Sequence, residues 1–300
     1  MKETNTMKNI LPLAALLLSP AAWAGGHDIV SNDGSIPVPF ITTGNLIDRG
    51  FVGGASRKIS PLISPAEISQ ISQLPGLSGR PEPEVVFGID TRFRVEPSTY
   101  PTRAVALITV GTARCTGWLA GPDTIITAGH CVHTGNAAAG GIWRTLESYT
   151  IYPGHTGTQA PYGNCKARRL YSTSGWADQG DSNYDYGAIK LDCQIGNSTG
   201  WLGYAAFSTI TNYPSITNGY PGDKPLAQWA SADVVRKATN TWLYYKNDTY
   251  AGMSGGPIWF DGDKGALAIG IHTYKDVKYN KGARINSSVF NNIRTWKNAD

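Results

Sequence analysis

Two textures of hydrophobic patterning divide the chain near residue 84. Beyond it, "RAVALITV", "TGWLAG", "DTIITAG", "YGAIKLD", "TWLYYK", "GGPIWFDG" and "GALAIGIHTY" are short apolar runs separated by Gly, Pro, Asn or Asp. Such runs predict short strands joined by turns. The closing "SSVFNNIRTWKN" changes period: Val289, Phe290, Ile293 and Trp296 share one helical face, with Ser287 or Ser288 as cap. Residues 25–84 are instead rich in Ser, Pro and Gly, with no Cys and few aromatics. One element stands out there, "SPAEISQISQL". Ser64 can cap, Pro65 suits the first helical position, and Glu67 completes a capping box. Ile68, Ile71 and Leu74 then align, but so short a helix must lean on something larger. "GRPEPE" follows as a polar linker. No internal repeat is visible.

Composition sharpens this picture. Hydrophobic residues make up 41% and charged residues 16%, with abundant Gly, Tyr and Trp. That balance favours a β-rich exported protein. The start agrees: Lys8, an apolar run over residues 10–18 and the ending Ala22, Trp23, Ala24 have the layout of a secretory signal cleaved after Ala24. The run is too short to span a bilayer and contains Pro12, so no membrane partner is expected. In an exported chain, Cys115, Cys131, Cys165 and Cys193 suggest two disulfides, with three connectivities open. The net charge of +4 is mild and no dense Lys/Arg run occurs, which argues against nucleic acid.

Candidate chemistry lies in three stretches. His130 sits in "TAGHC", where a strand-like run gives way to small residues that free an imidazole, and Cys131 could pair with Cys115 to pin the turn. His130 and His133 lack a second ligand cluster for zinc, so no metal or other cofactor is called for. Asp185, in "YDYGAIKL", directly precedes an apolar strand and can be buried against a histidine; Asp178 and Asp181 lie in a more polar loop. Ser254, in "GMSGGP", is flanked by glycines that permit a sharp bend, aiming the N–H groups of Gly252 and Ser254 at one point. A base, an orienting carboxylate and a hydroxyl nucleophile are the parts of serine acyl transfer.

Their order, His, Asp, Ser, is that of chymotrypsin. "TAGHC", "DYGAIKL" and "GMSGGP" resemble the signature segments of chymotrypsin-fold serine proteases, and within that fold the bacterial glutamyl endopeptidases. The resemblance runs from about residue 85 to the C-terminus. It implies an all-β fold of two antiparallel six-stranded barrels with a C-terminal helix, and protein or peptide substrates cut by a monomeric enzyme. It also implies a pocket in which His272 of "GIHTYK", with Thr249 and Thr273, contacts a substrate carboxylate. Asp248 conflicts with this. By simple counting it falls where trypsin-like enzymes hold the carboxylate that attracts Arg or Lys. The expectation is that Asp248 turns to solvent and that cleavage follows Glu, with Asp a poorer substrate.

Met253 stands where trypsin-like zymogens carry an Asp that pairs with the new N-terminus, and a thioether cannot do so. In some glutamyl endopeptidases the mature amine lies near the pocket instead. "VVFGIDTRFRV" resembles the start of mature relatives and follows Glu84, so self-processing between Glu84 and Val85 is expected. The chain thus reads as signal 1–24, prosegment 25–84 and protease domain 85–300, the prosegment being a partner of the enzyme. His27, His133 and His155 have no constellation and are expected at the surface. An inactive protease-like binding protein would usually lack a triad member, and all three are present.

Overall fold

The computed structural model describes residues 25–54, 64–77 and 85–300. The expected signal, Ala24 and Glu84 lie outside these. Two curled, mainly antiparallel sheets carry the fold. The first runs in spatial order Ile29–Ser31, Ala167–Thr173, Gly187–Leu191, Thr124–Thr127, Ala113–Leu119, Val105–Val110 and Tyr149–Pro153. Six of these strands belong to the expected catalytic unit; Ile29–Ser31 comes from the N-terminal segment. The second sheet has 10 strands. Its centre is the series Trp242–Tyr245, Asn280–Arg284, Gly265–Lys275, Pro257–Gly262, Pro214–Gly219 and Trp229–Val234. Short strands extend it, among them Ile47–Asp48, again from the N-terminal segment.

The strands follow from the pattern. Val105–Val110 and Thr124–Thr127 are buried on both faces. Continuous apolar runs, rather than alternation, suit such positions. The C-terminal helix, Ser287–Asn298, is capped by Asn286, whose Oδ1 accepts from Val289 N at 3.0 Å. The cap therefore precedes both serines expected to supply it. Val289, Phe290, Ile293 and Trp296 are buried as their spacing predicts. Trp296 stacks on Tyr171, and Phe290 meets Tyr204 with ring centroids 5.0 Å apart. The helix thereby joins the end of the second sheet to the first.

The early helix spans Pro65–Gln73, with Ser64 Oγ accepting from Glu67 N at 3.1 Å. Glu67 does not complete a box. Its carboxylate accepts from Tyr152 OH at 2.9 Å, and Ile71 is buried, so the helix does lean on the body of the protein. Disulfides join Cys115 to Cys131 and Cys165 to Cys193. Among the described residues no helix is long and apolar enough to cross a membrane.

Two histidines expected at the surface are buried instead. His133 packs edge-on to Trp143 and accepts from Gly135 N; His155 packs against Tyr152 and Tyr220 and accepts from Gly157 N. Nδ1 of each ring is thus bonded within its own turn, while Nε2 of His155 is buried with no partner among the described residues. His27 is half-buried and meets Tyr186 OH at 2.8 Å. Burial, aided by the nearby Arg114 charge, pushes the His155 imidazole down to about 4. The unfolded chain then binds a proton between pH 6.5 and 4 that the folded chain refuses, so stability falls as pH drops through this window. In His155→Gln this acid loss should shrink by about 3 kcal/mol, measured by urea unfolding across the window. An unchanged pH slope would contradict it.

Candidate active site

The turn after Thr124–Thr127 presents His130. Asp185 lies at the start of the neighbouring strand, Gly187–Leu191, and is fully buried. Its Oδ1 accepts from the backbone N of His130 at 2.7 Å, and its Oδ2 lies 2.8 Å from His130 Nδ1. One carboxylate therefore holds both the backbone and the ring of the histidine. A Cβ on Gly129 would come within 2.7 Å of Asp185 Oδ1, so this close approach requires glycine. The Cys115–Cys131 bond ties the same turn to the adjacent strand. Closing a loop of that size stabilises by about 3 kcal/mol in the chain-entropy model. Asp181 instead caps its own short turn by accepting from Asn183 N.

The serine loop is folded back on itself. Met253 N donates to Tyr250 O, Gly255 N to His272 O, and Gly256 N to Met253 O. Gly252 has φ +102° and Gly255 φ +87°, conformations that other residues resist. Met253 is buried, its thioether facing the interior rather than an ion-pair partner. Among the described residues, His130 Nε2 has no hydrogen-bond partner, and one of the contacts of Ser254 Oγ is a bond donated to Leu77 O at 3.4 Å. No hydrogen bond between His130 Nε2 and the Ser254 hydroxyl is therefore made here.

Thr116 escaped the sequence reading. Its Oγ1 donates to Gly252 O at 2.7 Å and accepts from Tyr220 N at 3.0 Å, while its backbone N donates to Ser254 O. A threonine in a strand of the first sheet thus carries the Ser254 loop of the second. The signal in sequence is only its place beside Cys115.

The pocket candidates are drawn together by hydrogen bonds. His272 is fully buried, with Nδ1 2.5 Å from Tyr245 OH. Burial, reinforced by His130, pushes its imidazole down to about 3, so it is neutral over the working pH range. Thr249 and Thr273 are buried with hydroxyls that have no partner among the described residues. Val85 reaches the same wall: its N donates to Asn280 Oδ1 at 3.1 Å, and its O accepts from Asn280 Nδ2 and Thr249 N. Asn280 and Tyr245 were also missed from sequence.

Asp248 corrects an expectation. It is buried, not turned to solvent. Its carboxylate accepts from Phe87 N at 2.7 Å, Thr91 N at 2.8 Å and Thr91 Oγ1 at 2.6 Å. It anchors the chain that follows Val85. A carboxylate so engaged is not presented to a substrate cation, which removes the basis for Arg or Lys recognition by this residue.

Comparison with known proteins follows from this geometry. Residues 115–271 match the trypsin-like peptidase domain. The chain belongs to this family of serine endopeptidases. It is 39% identical over 225 residues to a glutamyl endopeptidase of Bacillus licheniformis, covering 71% of this chain and 69% of that protein. A Bacillus subtilis protein named an extracellular metalloprotease is 37% identical, over 72% of this chain and 71% of its own length. Among solved structures, a Glu endopeptidase in complex with MPD matches with TM-score 0.65 and 30% identity, over 71% of this chain and 99% of that one. A thermostable serine protease at 19% identity and TM-score 0.54, covering 65% of this chain and 96% of that one, shares the fold.

The closest groupings of metal-donor side chains among the described residues are Cys115, His130, Cys131 and Cys165, Asp192, Cys193. All four cysteines are in disulfides, and His130 Nδ1 is held by Asp185, so these donors do not fit a bound ion.

Thr116→Val should lower kcat for a peptide substrate about tenfold while leaving KM nearly unchanged, because Gly252 O loses its buried donor beside Ser254. Steady-state kinetics of the matured enzyme checks this. Full activity in the variant would show that the loop holds without Thr116.

Proposed function

We propose that the chain is an exported endopeptidase precursor that cuts after Glu, with Ser254 as nucleophile, His130 as general base and Asp185 as the group orienting it. The observation that carries the catalytic part is the buried Asp185 carboxylate bonded to both the backbone and Nδ1 of His130. That pairing leaves Nε2 to take the Ser254 proton as Oγ bonds to the substrate carbonyl carbon. The carbonyl electrons move to oxygen, which the N–H groups of Gly252 and Ser254 stabilise. The imidazolium then protonates the leaving amine, and water repeats the sequence to release the acid.

Specificity for Glu is supported by the character of the pocket wall. A neutral His272 whose Nδ1 is engaged by Tyr245 can offer Nε2–H to a carboxylate. The buried hydroxyls of Thr249 and Thr273 supply further donors. After a cut before Val85, its freed ammonium would lie beside Asn280 Oδ1, adding positive charge to the same wall. The nearby acid, Asp248, is occupied elsewhere. Export rests on the signal-like residues 1–24, and maturation at Glu84 on the sequence around it. The solved glutamyl endopeptidase is covered to 99% by 71% of this chain, close to the share occupied by residues 85–300.

A peptide panel varied only at the residue before the cut should show kcat/KM for Glu at least about 100-fold above Gln, Lys and Arg. His272→Ala should erase most of that preference while retaining organophosphorus labelling of Ser254. Cleavage after Lys or Arg would overturn the pocket assignment; failure of Ser254→Ala to abolish turnover would overturn the nucleophile. Mass spectrometry of the exported protein should find Val85 at the N-terminus, and Glu84→Gln should block that species.

A further inference from the structure

The N-terminal segment is built into the enzyme at two separated places. Away from the serine loop it behaves as a structural element. Ile29–Ser31 pairs antiparallel with residues 171–173 and becomes the edge of the first sheet. Ile47–Asp48 pairs with Tyr204 and Ala205 in the second. Phe40 N donates to Thr295 Oγ1 at 2.7 Å, and Asp48 pairs with Lys297 at 2.9 Å, both on the C-terminal helix.

At the serine loop the segment behaves as a plug. Leu77 N donates to Arg114 O, and Arg114 N donates to Pro75 O, each at 2.9 Å. This is a short strand addition to the edge beside Cys115. It presses on the nucleophile loop so closely that a Cβ on Gly76 would lie 2.0 Å from Ala251 C and 2.1 Å from Gly252 N. Ser254 Oγ donates to Leu77 O at 3.4 Å. That contact places a backbone carbonyl of the segment directly on the Ser254 hydroxyl.

We propose that residues 25–77 form a non-covalent subunit of the enzyme, which stays bound and keeps Ser254 covered after the chain is cut between residues 77 and 85. Each of these contacts joins the segment to the rest of the chain, and none depends on the peptide bonds between residues 77 and 85. The strand pairs and helix contacts hold the segment, which keeps the plug at high effective concentration over the serine loop. The cut alone therefore does not activate; loss of the segment does. This deepens the protease reading, and its covering of Ser254 rests on that reading, whereas retention of the segment does not.

The test uses the full chain carrying Ser254→Ala, nicked between residues 77 and 85 by an added protease. In size-exclusion chromatography and native mass spectrometry, the two pieces are expected to travel together in equal amounts at micromolar concentration. Separation of the pieces would overturn the proposal, whatever Ser254 does. In a second arm, nicked protein with its serine intact is treated with a fluorophosphonate probe. Labelling is expected to be at least about tenfold slower than after the segment is digested away. Equal rates would overturn the plug. Gly76→Val in the nicked complex should restore fast labelling while the pieces still co-elute; slow labelling in that co-eluting complex would remove Gly76 from the role.

Discussion

A carboxylate taken entirely out of water must find its hydrogen bonds inside the protein, and Asp185 finds two of them on His130. Much of the site is arranged around that requirement. The turn carrying His130 must come close enough for its backbone N–H to reach the carboxylate, which leaves no room for a side chain on Gly129. The adjacent cysteine is bonded back to the strand that also bears Thr116. Through Thr116 the same strand supports the serine loop. His130 and Ser254 come from different sheets, yet one strand registers them against each other.

The fold was legible where side-chain pattern decides it. Doubly buried strands announce themselves as unbroken apolar runs, and the C-terminal helix by its spacing. Less legible were strands such as Trp229–Val234 and Ala167–Thr173. They mix polar and charged positions, and their pairing is set by neighbours distant in sequence. Ile29–Ser31 and Ile47–Asp48 are too short to carry any period at all. The helix caps show how local competition shifts a boundary: Asn286 outbids Ser287 because its side chain reaches Val289 N.

Within the candidate site, residues with distinctive chemistry in distinctive settings are the ones the sequence singles out: His130, Asp185, Ser254 and His272. Those that act through one hydroxyl or amide could not. Thr116, Tyr245 and Asn280 look like ordinary strand residues until the sheets close. The fate of Asp248 was likewise invisible. Counting from the serine gives its position along the loop but not which groups its oxygens meet, and those groups lie more than 150 positions earlier in the chain.

The engagement of Asp248 bears on how substrate preference could change in such a scaffold. In the proposed pocket, replacing the neutral His272 would remove a hydrogen-bond donor without supplying a free carboxylate for a basic side chain. The acid already present is committed to Phe87 and Thr91, the chain just beyond Val85. Freeing it for a basic side chain would detach the arm that positions Val85 against Asn280. The two charge preferences are thus separated by a rearrangement of the N-terminal arm rather than by a single side chain, and a redesign toward basic substrates would have to begin there.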